Sequence, residues 1–250
     1  MQTQHNQSIT HQFDTRSSTF EKSAHWIVDP KLTAAHVEVA GSKKGKALEM
    51  CCGTGMVSKA LKTAGWDVQG LDISPGMVNE AKKFVPAMVG DVTQVPLADH
   101  SLDLIVMRQA YFLLDNGPAA LKEVRRLLKP GGQFILSHLV PFSKIDEDHL
   151  RKVHTVKQAQ MKKFYTTDIL KQELQANGFK VTGDKFVVVR ESVKLWMDQA
   201  PELSKATRQE VCDLVANAPE AYKKLRHVEV TRDGDILEDW NFVLISATPT

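Results

Sequence analysis

Residues 47–56 read ALEMCCGTGM: a short apolar run, two adjacent cysteines, and a Gly-Thr-Gly turn that leads into a helix-like segment. A sharp glycine turn from a strand into a helix lets backbone approach a ligand closely and leaves amide N–H groups at a helix N-terminus. Two other readings use the same residues: a metal or redox pair of cysteines, and a tight turn whose glycines serve sterics alone. Adjacent cysteines are a poor chelate without a C-x-x-C partner or clustered histidines, so no metal is expected here. The residues around the turn decide between the readings that remain.

From Lys46 the pattern alternates. Apolar runs at 47–50, 68–71, 104–107 and 134–136 are separated by helix-like segments near 56–65, 75–84 and 117–129. Ser74-Pro75 starts the second of these helices, and the KPGG stretch at 129–132 ends the third and turns the chain. Strand and helix in this order imply right-handed crossovers and a parallel sheet. YTTDILKQELQANGF (165–179) predicts another helix, with Thr167 as N-cap and Gly178 as its stop. Two strand-like runs, FKVTGDKFVVVRES and DWNFVLISATP, are separated by about fifty mostly helical residues. Ahead of all this, STFEKSAHWIVDPKLTAAHVEVAG (18–41) reads as helical packing, with Asp29-Pro30 as a helix start and Gly41 as a stop. The expected fold class is α/β, a Rossmann-like sheet, mostly parallel with an antiparallel C-terminal strand, plus a helical cap insertion. Residues 1–43 would form a mobile segment and lid helices, 44–190 the core, 191–238 the cap and 239–250 the final core strand.

Composition sets outer limits. The chain has 250 residues, 42% of them hydrophobic and 25% charged, which are ordinary globular values. Net charge is +2 with both signs interspersed, so no basic stripe points to a nucleic acid. Three cysteines, Cys51, Cys52 and Cys212, fit a reducing compartment better than a disulfide scaffold, and Cys212 has the helical spacing of a core residue. The polar N-terminus lacks a signal-peptide core, and no apolar run approaches the ~20 residues that span a bilayer, so a cytoplasmic location without a membrane span is expected. The first fifteen or so residues, rich in Gln, Thr, Ser and His, are expected to be mobile unless a ligand orders them. A small-molecule substrate is the expected partner, with a homodimer left open.

Three acids give the turn its meaning. Asp72 stands at the end of the next apparent strand, about 20 residues on, where a carboxylate accepts from ribose hydroxyls. Asp91 follows the third apparent strand and suits a donor such as an adenine amino group, and Glu49 places negative charge beside the loop for a cationic group. Singly, Asp72 could cap the helix at Ser74-Pro75 and Asp91 could hold a turn; in series they favour a ligand site. The dinucleotide fingerprint would end at Ser58 instead of glycine or alanine, so the expected ligand is a nucleoside without an obligatory pyrophosphate.

ALEMCCGTGMVSKAL, GWDVQGLDISPGMVNEAK, GDVTQVPLADHSLDLIVMRQAYFLLDN and LKEVRRLLKPGGQFILS together resemble the successive motifs of class I S-adenosylmethionine-dependent methyltransferases, in particular the small-molecule group related to quinone-biosynthesis enzymes. The resemblance covers roughly 44–140. It implies S-adenosyl-L-methionine as cofactor, with Glu49, Cys51, Gly53 and Gly55 around its methionine part. It also implies Asp72 with Ile73 at the ribose, Asp91 with Val92 at the adenine, and Arg108 with Gln109 beside the transferred methyl. Cys51 stands where the family usually has glycine, and its Cβ narrows the approach of the loop to the methionine.

Methyl transfer from a sulfonium is an in-line displacement, in which much of the catalysis comes from holding three atoms collinear. For a hydroxyl or acidic-carbon acceptor, His138 at the end of QFILSH is the candidate base and Arg108 the candidate anion stabiliser. His138 has a solvent-facing or satisfied role as its plainer reading, and His25 in the N-terminal helical region is a weaker candidate. His149 and His154, five apart, lack the spacing of a metal pair. Phe20, Trp26, Tyr111, Phe112, Tyr165, Trp196 and Trp240 are candidates to line a pocket for a flat substrate, and core packing accounts for most of them equally well. The lysines from 152 to 163 read as a solvated helix face. The acceptor atom stays open among O, N, C and S. So do two other functions, a non-catalytic cofactor-binding or regulatory scaffold and an NAD-dependent oxidoreductase, and sulfonium chemistry other than methylation on the same fold.

Overall fold

Alternate residues of the central strands enter different cores, which is why these strands read as near-continuous apolar runs: Leu104 and Val106 join one buried cluster, Ile105 and Met107 the other. The computed structural model describes residues 3–198, 200 and 203–250. Three helices, α1 (Gln4–Arg16), α2 (His25–Val28) and α3 (Pro30–Ala40), precede the sheet. Then follow β1 (Lys46–Met50), α4 (Met56–Thr63), β2 (Asp67–Asp72), α5 (Pro75–Ala81), β3 (Ala87–Val89), β4 (Leu102–Arg108), α6 (Gly117–Leu127) and β5 (Leu128–Val140). The last part holds α7 (Lys144–Lys157), α8 (Thr167–Ala176), β6 (Phe179–Ser192), α9 (Val193–Asp198), α10 (Lys205–Ala216), α11 (Glu220–Leu225), β7 (Glu229–Val230) and β8 (Ile236–Pro249).

The strands form one sheet in the order β3-β2-β1-β4-β5-β8-β6, with β7 beside β8. Pairs from β3 through β5 are parallel, and β8 runs antiparallel between β5 and β6. The chain winds outward from β1 to β3 and then returns to place β4 on the other side of β1. That reversal opens a crevice beyond the carboxyl ends of β1 and β4, the usual ligand position in such sheets. The mixed sheet with antiparallel C-terminal strands is the architecture expected from the sequence. Ser192 pairs with Leu237, so β6 and β8 run as a continuous ladder up to the helices inserted between them.

Local signals explain most boundaries. Asp29 accepts from the Leu32 amide (2.7 Å) and Ser74 from the Met77 amide (3.1 Å), each with proline at the next position. The cap of α8 is Thr166, one residue earlier than predicted, and Thr167 is the first helical residue. The KPGG stretch is a bulge within β5: Leu128 pairs with Leu102 and Gln133 with Leu104, and the residues between, with Gly131 left-handed (φ 74°), have no partner on β4. Residues 4–16, too polar to order themselves by apolar burial, nevertheless form α1. Polar contacts anchor it: Asp14 accepts from the Ser74 hydroxyl and the Gly76 amide, and the His5 ring meets the Leu113 carbonyl at 2.6 Å. Lys157 also departs from the expected solvated face, being buried with its ammonium 5.1 Å from the Trp196 ring centroid.

A wholly buried ionic cluster joins the inserted helices to the core. Arg226 donates to Asp146 (2.9 Å) and Glu238 (3.0 Å); the same Glu238 accepts from Tyr222 and from the Trp240 indole, both at 2.9 Å. Removing one partner of such a cluster strands the other charges away from water. Arg226→Met should therefore cost about 3–5 kcal/mol, read from chemical denaturation. His36, His138 and His154 are also buried, each with Nε2 unpartnered among the described residues, and burial pushes them down to about 3, 4 and 3. The unfolded chain takes up these protons below about pH 6.5 while the fold refuses them, so this contribution to stability is complete above pH 6.5 and is lost as pH falls. His154→Phe should reduce the slope of stability against pH by about 1.4 kcal/mol per unit between pH 6 and 4.5, measured as denaturation free energy across that range.

Candidate active site

Cys51 (φ 54°), Gly53 (φ 52°) and Gly55 (φ 81°) all adopt the left-handed backbone, so the chain reverses sharply between β1 and α4. The two cysteines have separate roles. Cys51 lies on the ligand side, in a conformation that glycine adopts without strain. Burial, and then Asp72, Asp91 and Glu49, push its thiol well up, so it stays protonated. Cys52 is a packing residue: its amide donates to the Leu71 carbonyl (3.0 Å), and its sulfur occupies the space a side chain at Gly70 would need, 2.8 Å from a Cβ built there. Gly55 makes room for α5, since a Cβ would stand 3.1 Å from the Ala81 backbone.

Asp72 ties this turn to the next one. One carboxylate oxygen accepts from the Gly53 amide (2.9 Å) and the other from the Ser74 amide (3.0 Å). Burial raises its carboxyl, against the pull of these hydrogen bonds. Glu49 is buried at the end of β1, where Ser58 donates both its amide (2.8 Å) and its hydroxyl (2.6 Å) to one carboxylate oxygen. Burial lifts this carboxyl to about 7, against the attraction of Arg108 and the Ser58 bonds. Ser58, the residue that breaks the dinucleotide fingerprint, is therefore the one that holds Glu49. The Arg108 guanidinium lies over the Trp26 ring (5.2 Å to the centroid) and donates to the Ile27 carbonyl at 3.2 Å. Its pKa is lowered by burial and supported by Glu49.

These groups line a cleft of about 890 Å³, counting space open to solvent. Along the strand order β3-β2-β1-β4, the lining runs from Asp91 and Val92, through Asp72 and Ile73, then Glu49, Cys51 and Gly53, to Arg108 and Gln109. Gly55 lies off this wall, against α5. Helix α1 adds Asn6, Ile9 and Phe13, a contribution that local sequence did not signal because it depends on contacts up to 108 residues away. Asp91 accepts from the Thr93 amide and hydroxyl on one oxygen (2.8 and 2.7 Å) and from Asn6 Nδ2 on the other (2.9 Å). Gln109, itself left-handed (φ 50°), accepts from the Leu139 amide at 2.7 Å and so ties the end of β4 to that of β5.

A second cavity of about 530 Å³, again counting open space, shares Phe13, Phe20, Trp26, Gln109 and Leu113 with the cleft. Phe112, Trp196 and Trp240 complete its aromatic walls, with Arg16 and Lys157 also on the lining. His154 is the imidazole of this chamber, its ring centroid 4.8 Å from that of Trp196 and 5.8 Å from that of Trp240. Burial first, then Arg226 and Lys157, keep it neutral. His138 lines a smaller adjoining pocket that shares Gln109, Phe112 and His154 with the chamber, beside Tyr165 and with its Nδ1 2.6 Å from the Leu139 carbonyl oxygen. His25 sits near Glu191, which caps α2 by accepting from the His25 and Trp26 amides. Spacing could not have singled out His154, because its placement requires α7 to pack against α9 and β8.

Residues 48–136 match the family described as "Methyltransferase domain". The demethylmenaquinone methyltransferase of Renibacterium salmoninarum is 30% identical over 169 residues, 65% of this chain and 65% of that protein, so the match spans slightly less than two thirds of the relative's length. A crystal structure of a protein from Bacillus halodurans superposes with a TM-score of 0.76 at 20% identity, covering 87% of this chain and 99% of that one. The [4+2]-cyclase SpnF superposes with a TM-score of 0.58 at 18% identity, covering 88% and 80%. At these identities both structures speak to the fold alone. The motif series, the strand order and the sequence match agree, and residues 48–136 belong to the methyltransferase-domain family, set within a class I S-adenosylmethionine-dependent methyltransferase fold.

Proposed function

We propose that the chain is an S-adenosylmethionine-dependent methyltransferase acting on a small organic acceptor, with cofactor in the cleft and acceptor in the aromatic chamber beside it. The observation that carries this reading is the pairing of the two spaces. A cleft with three carboxylates shares its wall with an aromatic chamber, at the carboxyl edge where β1 and β4 part. The donor set suits the cofactor: Asp72 retains lone pairs for ribose hydroxyls, Asp91 faces an amino group, and the left-handed loop brings backbone close to a methionine chain. Glu49 suits the cofactor's amino group, an ion pair that would draw its raised pKa back down. Bound there, the cofactor supplies a methyl on sulfur with an already activated leaving group.

The chain's own part is to hold and to exclude. Arg108 and Gln109 close β4 at the edge of the cleft, and Phe13, Phe20 and Trp26 form the wall common to both spaces, shutting water from the transfer path. Neutral His154 offers a hydrogen-bonding nitrogen to the acceptor in a chamber whose aromatic walls also carry Arg16, Gln109 and Lys157. Flat, largely apolar acceptors fit walls of this kind. The name of the Renibacterium relative, a demethylmenaquinone methyltransferase, points to a ring of that sort.

The test is calorimetry with S-adenosylmethionine and S-adenosylhomocysteine, with NADH as control. Both sulfur ligands should bind and NADH should not. Asp72→Ala should weaken them by about tenfold or more through loss of charge-assisted bonds. Preference for NADH, or no binding by a folded protein, overturns the proposal. Cys51→Gly should relax a left-handed residue, raise stability by up to about 1 kcal/mol and tighten S-adenosylhomocysteine binding, measured by denaturation midpoint and titration. A weaker-binding glycine variant would show that the Cys51 side chain is itself a contact.

A further inference from the structure

We propose that Asn6, on a helix outside the methyltransferase-domain segment, is a specificity residue for the adenine of the cofactor, and that docking of α1 and binding of cofactor reinforce each other. The inference rests on the cofactor assignment above. Asp91 has one oxygen occupied by the amide and hydroxyl of Thr93, while the other accepts from Asn6 Nδ2 at 2.9 Å. A carboxylate only accepts, so it fixes which way the Asn6 amide faces: the NH₂ group points to Asp91 and the carbonyl oxygen Oδ1 is the end that remains. No hydrogen bond among the described residues takes up that oxygen, and Asn6 lines the cleft.

An adenine 6-amino group carries two N–H donors. Asp91 Oδ2 keeps a second lone pair and Asn6 Oδ1 has two, so this corner offers acceptors for both. A 6-oxo base would replace both 6-amino donors by a carbonyl oxygen that faces two acceptors, which discriminates more strongly than a lost contact alone. Asn6 reaches the site only while α1 is docked through Asp14 at Ser74 and Gly76 and through His5 at the Leu113 carbonyl. A ligand that bonds Asn6 must therefore favour the docked helix, and the docked helix must favour that ligand by the same factor.

The experiment is titration of the full chain and Asn6→Ala with S-adenosylhomocysteine and its 6-oxo analogue S-inosylhomocysteine, with amide hydrogen exchange followed over residues 4–16. The wild type should prefer the 6-amino ligand. Asn6→Ala should weaken that ligand by about three- to tenfold, leave the 6-oxo ligand unchanged or bind it more tightly, and so shrink the preference. S-adenosylhomocysteine should slow exchange across α1 in the wild type and do so less in the variant. Unchanged affinity and preference in a folded Asn6→Ala variant overturn the adenine role, and exchange in α1 that ignores the ligand overturns the coupling. A wild type that binds neither ligand overturns the cofactor assignment itself, and this inference falls with it.

Discussion

The carboxylate of Asp72 bonds two backbone amides that belong to different βα turns, Gly53 after β1 and Ser74 after β2. Everything at the carboxyl edge of the sheet is placed relative to that clip. It sets the distance between the left-handed loop and the start of α5, and the Ser74 hydroxyl in turn reaches Asp14 of α1. One acid thus clips two turns and borders the cleft. Two amides occupy part of its hydrogen-bonding capacity, and the residue also lines the cleft.

Charge in the cleft follows the same economy. Glu49 would be a costly buried carboxylate on its own, yet the Ser58 amide and hydroxyl and the field of Arg108 keep it close to ionisation at neutral pH. Arg108 is in turn desolvated over Trp26 and fastened to the Ile27 carbonyl, so the N-terminal helices position a side chain from the fourth strand. The N-terminal segment is therefore part of the site's construction as well as its cover.

Much of this was legible in the sequence because the determining signals are local. Alternating apolar runs, Asp29-Pro30, Ser74-Pro75 and the Gly-Thr-Gly turn each specify backbone within a few residues, and the acids after successive strands fall at one edge once a parallel sheet is assumed. What was not legible depends on distant packing. The polar segment 4–16 has little apolar surface, so no periodicity could show that Asp14, His5 and Asn6 would each find a partner 60 to 108 residues away. His154 looked like a rejected metal ligand, since the tryptophans beside it come from α9 and β8. His138 stands in the pocket that adjoins the chamber, its ring beside Phe112 and Tyr165, an orientation set by the packing of distant segments. In the sequence Ser58 stands out as a departure from the dinucleotide glycine pattern, and its bonds to Glu49 depend on the packing of α4 against β1.

The helices between β6 and β8 leave and rejoin the sheet at paired residues, Ser192 and Leu237. Topologically the insertion is an excursion that enters the sheet through the two-residue β7 beside β8, so its helices can diverge without disturbing the register of β1 to β6, and one chamber wall can vary while the cleft stays fixed. A buried charge limits that freedom. Arg226 belongs to the excursion, whereas Asp146 and Glu238, which it neutralises, belong to the body. Descendants of this chain can trade one cap for another only where the newcomer also delivers a cation to that buried spot, or where both acids change with it.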